Sequence, residues 1–223
     1  MKHFKAVIFD MDGTLLDTER VAQEAFFSAC NEFAVTARVD LLLRCVGAAE
    51  VIAREVIREG YGPALDSEAF FEAWNRHFHE LSRVTPARPK DGAVALLDAV
   101  AGLGLPMAVA TSSSTSHAVD RLRHAGLLER FGTVVGVDQV RKPKPDPEVY
   151  LRAASCLGVD PRGCLAIEDS EYGVRAAHGA GMTVIQVPDT VQPTTALRAL
   201  GHIVLGSLQD VAMYPFALRA SDG

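Results

Sequence analysis

From residue 88 onward, short apolar runs alternate with stretches whose apolar positions recur every three or four residues. "VALLDAVAGLG", "SHAVDRLRHAG", "DPEVYLRAASCLG" and "EYGVRAAHGAGM" carry the helical period, while "PMAVATSSS", "TVVGVD", "GCLAIEDS" and "TVIQVPD" are strand-length runs between them. With the opening run "AVIF" this alternation predicts right-handed βαβ units on a parallel sheet, an α/β fold. Asp146, followed by Pro147, is placed to cap a helix, and Gly126 and Gly158 stand where helices should end. Residues 18–87 break the rhythm. Helical spacing at Val21, Ala22, Ala25, Phe26, Ala29, Cys30 and Phe33 continues through "LLLRCVGAAEVIAREVIREG" and "EAFFEAWNRHFHEL" without a strand, up to a hinge at "TPARPKDG". The expected division is an α/β core from 1–17 and 88–223 with a small helical cap from 18–87.

Ligands of a parallel α/β sheet gather at the carboxyl ends of its strands, so the residues that end each apolar run are the candidates for chemistry. They are Asp10 and Asp12 after the first run, Thr111, Ser112 and Ser113 after the second, and Glu168 and Asp169 after the fourth, with Lys142 following the third. Strand alternation would give Asp10 and Asp12 one face, with Gly13 permitting a sharp turn after them. Four acids at close range call for a cation, and an all-oxygen set suits magnesium. Acids, metal, hydroxyls and a lysine together suit a phosphoryl group. Asp10 is then the nucleophile that takes the phosphoryl group, and Asp12 the acid that protonates the leaving oxygen and later deprotonates water.

Composition narrows the partners. The chain has 223 residues, 48% of them hydrophobic, and a net charge of -6 with both signs scattered, so it carries no basic stripe for nucleic acid. Its N-terminal apolar stretch is too short, and too soon interrupted by Asp10, for a signal peptide or membrane span. Cys30, Cys45, Cys156 and Cys164 show no CxxC spacing and are expected as reduced, structural thiols of a cytoplasmic protein. A monomer is expected, with an oligomer left open.

"DMDGT", "VATSSS", "KPKPDPEVY" and "IEDSEYGVRAA" resemble, in order, the four motifs of the haloacid dehalogenase superfamily, and the helical insert resembles the cap of its beta-phosphoglucomutase-like and phosphoglycolate phosphatase-like branch. The resemblance implies a Rossmann-like core and a magnesium-dependent phosphatase of small phosphate esters. It assigns Asp10 as nucleophile, Asp12 as general acid/base, Thr111 as the phosphoryl-binding hydroxyl and Lys142 as the lysine that steadies the phosphoryl group. Magnesium falls to Asp10, the carbonyl of Asp12, Asp169 and Glu168, the last directly or through water. Ser112 and Ser113 add an amide and a hydroxyl, and Glu19, Glu50 and Arg54 are the cap residues nominated to contact the leaving group.

Asp12 and the "EDS" acids argue against dehalogenation, which needs neither. A phosphosugar mutase of the same branch would carry a histidine where this chain has Ala22 and an arginine where it has Glu50; the acid should repel a second phosphate, so water is the expected acceptor. A phospho-aspartate signalling module would place its acid on a later strand and lack the insert. Several residues take plainer roles: Lys144 an ordinary surface lysine, Ser114 or Thr115 a helix cap, His77 and His79 a helix surface, Trp74 core.

Overall fold

The computed structural model of the chain describes residues 4–214, so the extreme ends of the expected core segments, 1–3 and 215–223, lie outside the described residues. Six parallel strands form one sheet in the order β3-β2-β1-β4-β5-β6. They are β1 (Ala6–Phe9), β2 (Met107–Ala110), β3 (Thr133–Val135), β4 (Cys164–Glu168), β5 (Thr183–Gln186) and β6 (Ile203–Val204). The first five answer the apolar runs of the sequence; β6, two residues long, has no periodicity to announce it. The central strand pairs on both sides, Val7 opposite Met107 of β2 and Leu165 of β4.

Period-two alternation sorts the sheet into two faces. Val7 and Phe9 join a core with the apolar stripes of α5 (Ala93–Gly102), α6 (Thr115–His124) and α10 (Leu208–Met213). Ala6 and Ile8 join the opposite core with α7 (Glu148–Cys156), α8 (Glu171–Gly179) and α9 (Thr195–Arg198). The chain passes from β1 to β2 and β3 on one side and returns to β4 on the other. The loops that follow β1, β2 and β4 therefore diverge at a topological switch point, the place where α/β sheets hold ligands.

The segment 18–87 builds a third apolar core from α1 (Glu19–Glu32), α2 (Val39–Cys45), α3 (Glu50–Tyr61) and α4 (Ser67–Val84). Phe26 lies edge-on to Phe70 and Trp74 at centroid distances of 5.9 and 5.1 Å, and the Trp74 indole donates to the Ala22 carbonyl at 3.1 Å, which makes Trp74 a core residue as the sequence implied. The helical period of 41–60 is broken at Val46–Ala49, where Gly47 adopts φ +71°. A side chain there would collide with Ser170: a Cβ would sit 2.2 Å from its hydroxyl oxygen. The Gly47 carbonyl also accepts from Ser112 Oγ at 3.0 Å, so this corner of the helical segment rests on the sheet's loops.

Two backbone segments connect the helices to the sheet, and they run side by side. Asp17 N donates to Arg88 O and Lys90 N to Leu15 O, each at 2.9 Å, with an antiparallel bridge between Leu16 and Pro89. The four cysteines are free, but Cys156 is exposed rather than structural. Among the described residues no helix is long and apolar enough to cross a membrane.

Candidate active site

β1 ends at Phe9, and the chain turns at once. Leu15 N and Leu16 N both donate to Met11 O at 2.9 Å, and Gly13 takes φ +80° against the Asp169 carboxylate, where a Cβ would lie 2.4 Å from Oδ2. The turn separates the two acids that strand alternation would have placed together. Asp10 points into the buried centre, whereas Asp12 lies in the loop and faces α6.

The buried centre is a carboxylate cluster around one ammonium. Lys144 Nζ donates to Asp10 Oδ1 at 2.7 Å and to Glu168 Oε1 at 2.6 Å, and Tyr150 OH donates to Glu168 Oε1 at 2.6 Å. Glu168 Oε2 accepts from the Asp169 and Ser170 amides and from the Ser170 hydroxyl at 3.1–3.3 Å, which ties β4 to the start of α8. Gly173 leaves the room for this: a Cβ there would fall 1.7 Å from Glu168 Oε1. Gln186 Nε2 donates to the Asp169 carbonyl at 2.8 Å, and Gln186 Oε1 accepts from His202 Nε2 at 2.8 Å.

This geometry corrects the lysine. Lys142, named from the sequence, is 74% exposed, and its ammonium lies 3.8 Å from Asp146; Lys144, taken as surface, is 2% exposed. Glu148 Oε2 accepts the amides of Arg141 and Lys142, pinning that part of the loop outside, while the chain turns inward two residues later. "KPKP" repeats a Lys-Pro pair, so the motif fits the sequence in two registers. Only the fold separates the two registers: Tyr150 of α7 reaches the same Glu168 carboxylate that Lys144 holds.

Electrostatics follow from burial. Asp10 is pushed up to about 8, first by burial and then by Glu168 and Asp12, against the pull of Lys144. Burial, with Asp10 and Glu168, holds Asp169 well above the carboxylate range. Lys144 is disfavoured by burial, yet Asp10 and Glu168 together keep its ammonium above the ordinary lysine value. One ammonium thus faces three buried carboxylates, and oxygen atoms of Asp10, Glu168 and Asp169 lie within 4.8 Å of one another. That all-oxygen set has the composition and residual charge to fit a hard divalent cation.

The remaining candidates divide. Thr111 is buried at the end of β2, its Oγ1 accepting the Ser113 amide at 3.1 Å. Ser113 Oγ donates to Asp12 Oδ2 at 2.9 Å, and Ser114 caps α6, its hydroxyl accepting from the His117 amide. A cleft of about 340 Å³ runs between α4 and these loops, lined among others by Asp12, Glu19, Glu50, Ser112 and Ser113. Burial, followed by Asp189 and Asp12, pushes Glu19 up to about 7. Arg54 is absent from that lining. It is drawn onto Glu50 at 2.5 Å, onto Glu68, and over the Phe71 ring, an ion pair within the cap segment.

Arg121 was not foreseen. Its guanidinium donates to Asp12 Oδ1 at 2.9 Å and lies 4.7 Å from the centre of the Phe78 ring, joining α6 to α4. On an amphipathic helix such as "SHAVDRLRHAG" its spacing is that of any solvent-facing arginine. His79 also departs from expectation. Rather than lying on an open helix face, its ring lies tilted against that of His117 with centroids 4.6 Å apart, whereas His77 pairs with Glu32.

Residues 7–187 match the family described as haloacid dehalogenase-like hydrolase. The phosphorylated carbohydrates phosphatase of Thermotoga maritima is 32% identical over 213 residues, covering 93% of this chain and 96% of that one. Fructose-1-phosphate phosphatase YqaB of Escherichia coli (strain K12) is 32% identical over 199 residues, covering 83% and 97%. Crystalline CbbY from Rhodobacter sphaeroides, in complex with xylulose-1,5-bisphosphate, superposes with a TM-score of 0.75 at 26% identity over 93% of this chain and 96% of that one. With a matched span of more than three quarters of its length, a parallel core and acids at the ends of β1 and β4, this chain belongs to the haloacid dehalogenase-like hydrolases.

Proposed function

We propose that the chain is a magnesium-dependent phosphatase that hydrolyses a small phosphorylated metabolite, a sugar-phosphate-like monoester, through an aspartyl phosphate on Asp10. The observation that carries this is Asp10 itself, a buried carboxylate at the switch point, held at 2.7 Å by a buried lysine beside two further acids. Magnesium would be held by Asp10, Asp169 and the Asp12 carbonyl. Glu168, whose two oxygens already accept five hydrogen bonds from its neighbours, would act at one remove through water. When bound, the ion supplies positive charge against the phosphoryl oxygens and the crowded carboxylates.

The chain's own groups do the rest. Asp10 forms the bond to phosphorus as the ester P–O bond breaks, and Asp12 gives the departing oxygen its proton. Asp12 then takes a proton from the water that attacks phosphorus, and Asp10 is released as carboxylate with inorganic phosphate. Lys144, in the role first given to Lys142, pulls the buried Asp10 toward its ionised form and meets the phosphoryl charge. Thr111 and the Ser112–Ser113 segment close the other side. The helical segment acts as a cap domain over 18–87, a lid that excludes stray water around the core of 1–17 and 88–223.

Water is the acceptor, since Ala22 lines the cleft where a mutase would need a base. The test is phosphate release from fructose 1-phosphate and p-nitrophenyl phosphate with magnesium. Turnover should vanish on chelation and in Asp10→Asn, and full magnesium-dependent activity in that variant would overturn the proposal. A long-lived phosphorylated protein without turnover would instead point to a signalling module.

A further inference from the structure

Cations collect in one place outside the carboxylate centre. A cavity of about 400 Å³ opens where the end of α4 and the hinge residues Pro86 and Ala87 face α6. Its wall carries Arg83, Arg121, His79, His117 and His124, and its one lining acid, Asp120, is ion-paired to Arg123 at 2.7 Å. The cavity shares Thr18, His79, His117 and Arg121 with the cleft, so the two are continuous on the side of Asp12. The cleft itself is lined by the acids Asp12, Glu19 and Glu50, none of which lines the cavity.

We infer that this cavity receives a second anionic group, a carboxylate or phosphate, carried by the part of the substrate that leaves from Asp10. The inference rests on the phosphatase function proposed above and narrows its substrate class. Asp12 serves the leaving oxygen, so whatever is attached to that oxygen must extend past Asp12, and Arg121 is the next charged group there. The expectation that a second phosphate is repelled was argued from Glu50, which lines the cleft and not this cavity. Here a negative group meets Arg83 and His79 of α4 and Arg121 and His117 of α6, the two imidazoles tilted against each other with ring centroids 4.6 Å apart. Burial keeps His79 below its usual value, and the neighbouring His117, Arg121 and Arg83 add to that.

Arg121 is the shared element. Its bond to Oδ1, with that of Ser113 to Oδ2, engages both oxygens of Asp12. An anion in the cavity competes for the guanidinium and frees Oδ1 to face the leaving oxygen. Substrate charge is thereby read by the group that positions the general acid.

The test compares fructose 1,6-bisphosphate with fructose 1-phosphate. In the wild-type protein kcat/KM should favour the bisphosphate by about tenfold, the effect of a well-placed charge pair, and Arg83→Gln should lower the bisphosphate value about tenfold more than the monophosphate value. Arg83 is exposed, so the variant should fold, and His124→Gln is a second exposed position expected to shift the ratio in the same direction. A wild-type ratio near one, or a ratio untouched by both variants, overturns the inference. If neither ester is turned over, the phosphatase function fails separately; calorimetric binding of the same two esters with magnesium still reads the cavity, with an equal affinity for both overturning it. Sulfate distinguishes a free anion from the substrate's own charge. Arg83-dependent stimulation of fructose 1-phosphate turnover by sulfate would mean that the cavity serves a separate effector, and would overturn the assignment to the substrate.

Discussion

The two sides of the cleft hold their charges in opposite ways. On the sheet side, Asp10, Glu168 and Lys144 are almost wholly buried and each is fixed by hydrogen bonds from neighbours on other elements. On the helical side, Glu50 and Arg54 pair with each other at i and i+4 on one helix, with the glutamate more than half exposed. Buried pairs cost heavily to break, because the surviving partner is left as an uncompensated charge, while exposed pairs are worth a fraction of a kcal/mol. The sheet side can therefore define one chemistry, and the helical side is free to vary in what it accepts.

The sharpest way to break that contrast is at Asp10. Asp10→Asn should lower kcat on the order of 10⁴-fold or more while the fold persists, as removal of a nucleophile does, checked by phosphate release alongside circular dichroism. Next comes the lysine pair. Lys144→Ala should destabilise the protein by about 3–5 kcal/mol and abolish turnover, whereas Lys142→Ala should stay within about 0.5 kcal/mol of wild type. Denaturant titration of both variants decides it, and comparable losses would restore the first assignment of the lysine.

A third test uses pH. Asp10 sits at about 8 in the folded protein against an ordinary 3.8, and Glu19 at about 7 against 4.5. A carboxyl raised on folding stabilises the fold below its unfolded value and loses that contribution as pH climbs toward the folded value. In chelator, Tm should therefore fall between about pH 4 and pH 8, and magnesium should raise it by an amount that grows with pH. A magnesium effect independent of pH would contradict the shared site. The smallest effect belongs to the helical side: Glu50→Ala and Arg54→Ala should each cost under about 1 kcal/mol, and Glu50→Ala should shift KM between sugar phosphates more than kcat. A large drop in kcat would make Glu50 part of the chemistry.

The same contrast governs what the sequence made legible. The acids were readable because apolar runs of four or five residues end on them, and strand ends in a parallel sheet have only one common destination. Continuous apolar runs located β1 to β5, but strand alternation misjudged Asp12, since the strand stops at Phe9 and a turn re-aims the second acid. Lys144 was lost to a duplicated dipeptide, and no local property separates two lysines that differ only in which way the loop folds. Arg121, His79 and the break at Gly47 all depend on contacts between distant segments. A helix pattern carries no trace of what faces it across a cleft, so the polar half of α4 and of α6 looks like solvent-facing surface.

The paired segments at residues 15–18 and 85–90 have a mechanical consequence. A domain hung on one strand of chain can swivel in every direction, but two strands laced together by backbone hydrogen bonds behave as a strap that bends about a single line. If the helical segment moves as the proposed lid, opening and closing would retrace one arc. Each closure would return α4 to the same place over α6 and so restore the alignment of Phe78 with Arg121, and of His79 with His117, without a separate lock to find it.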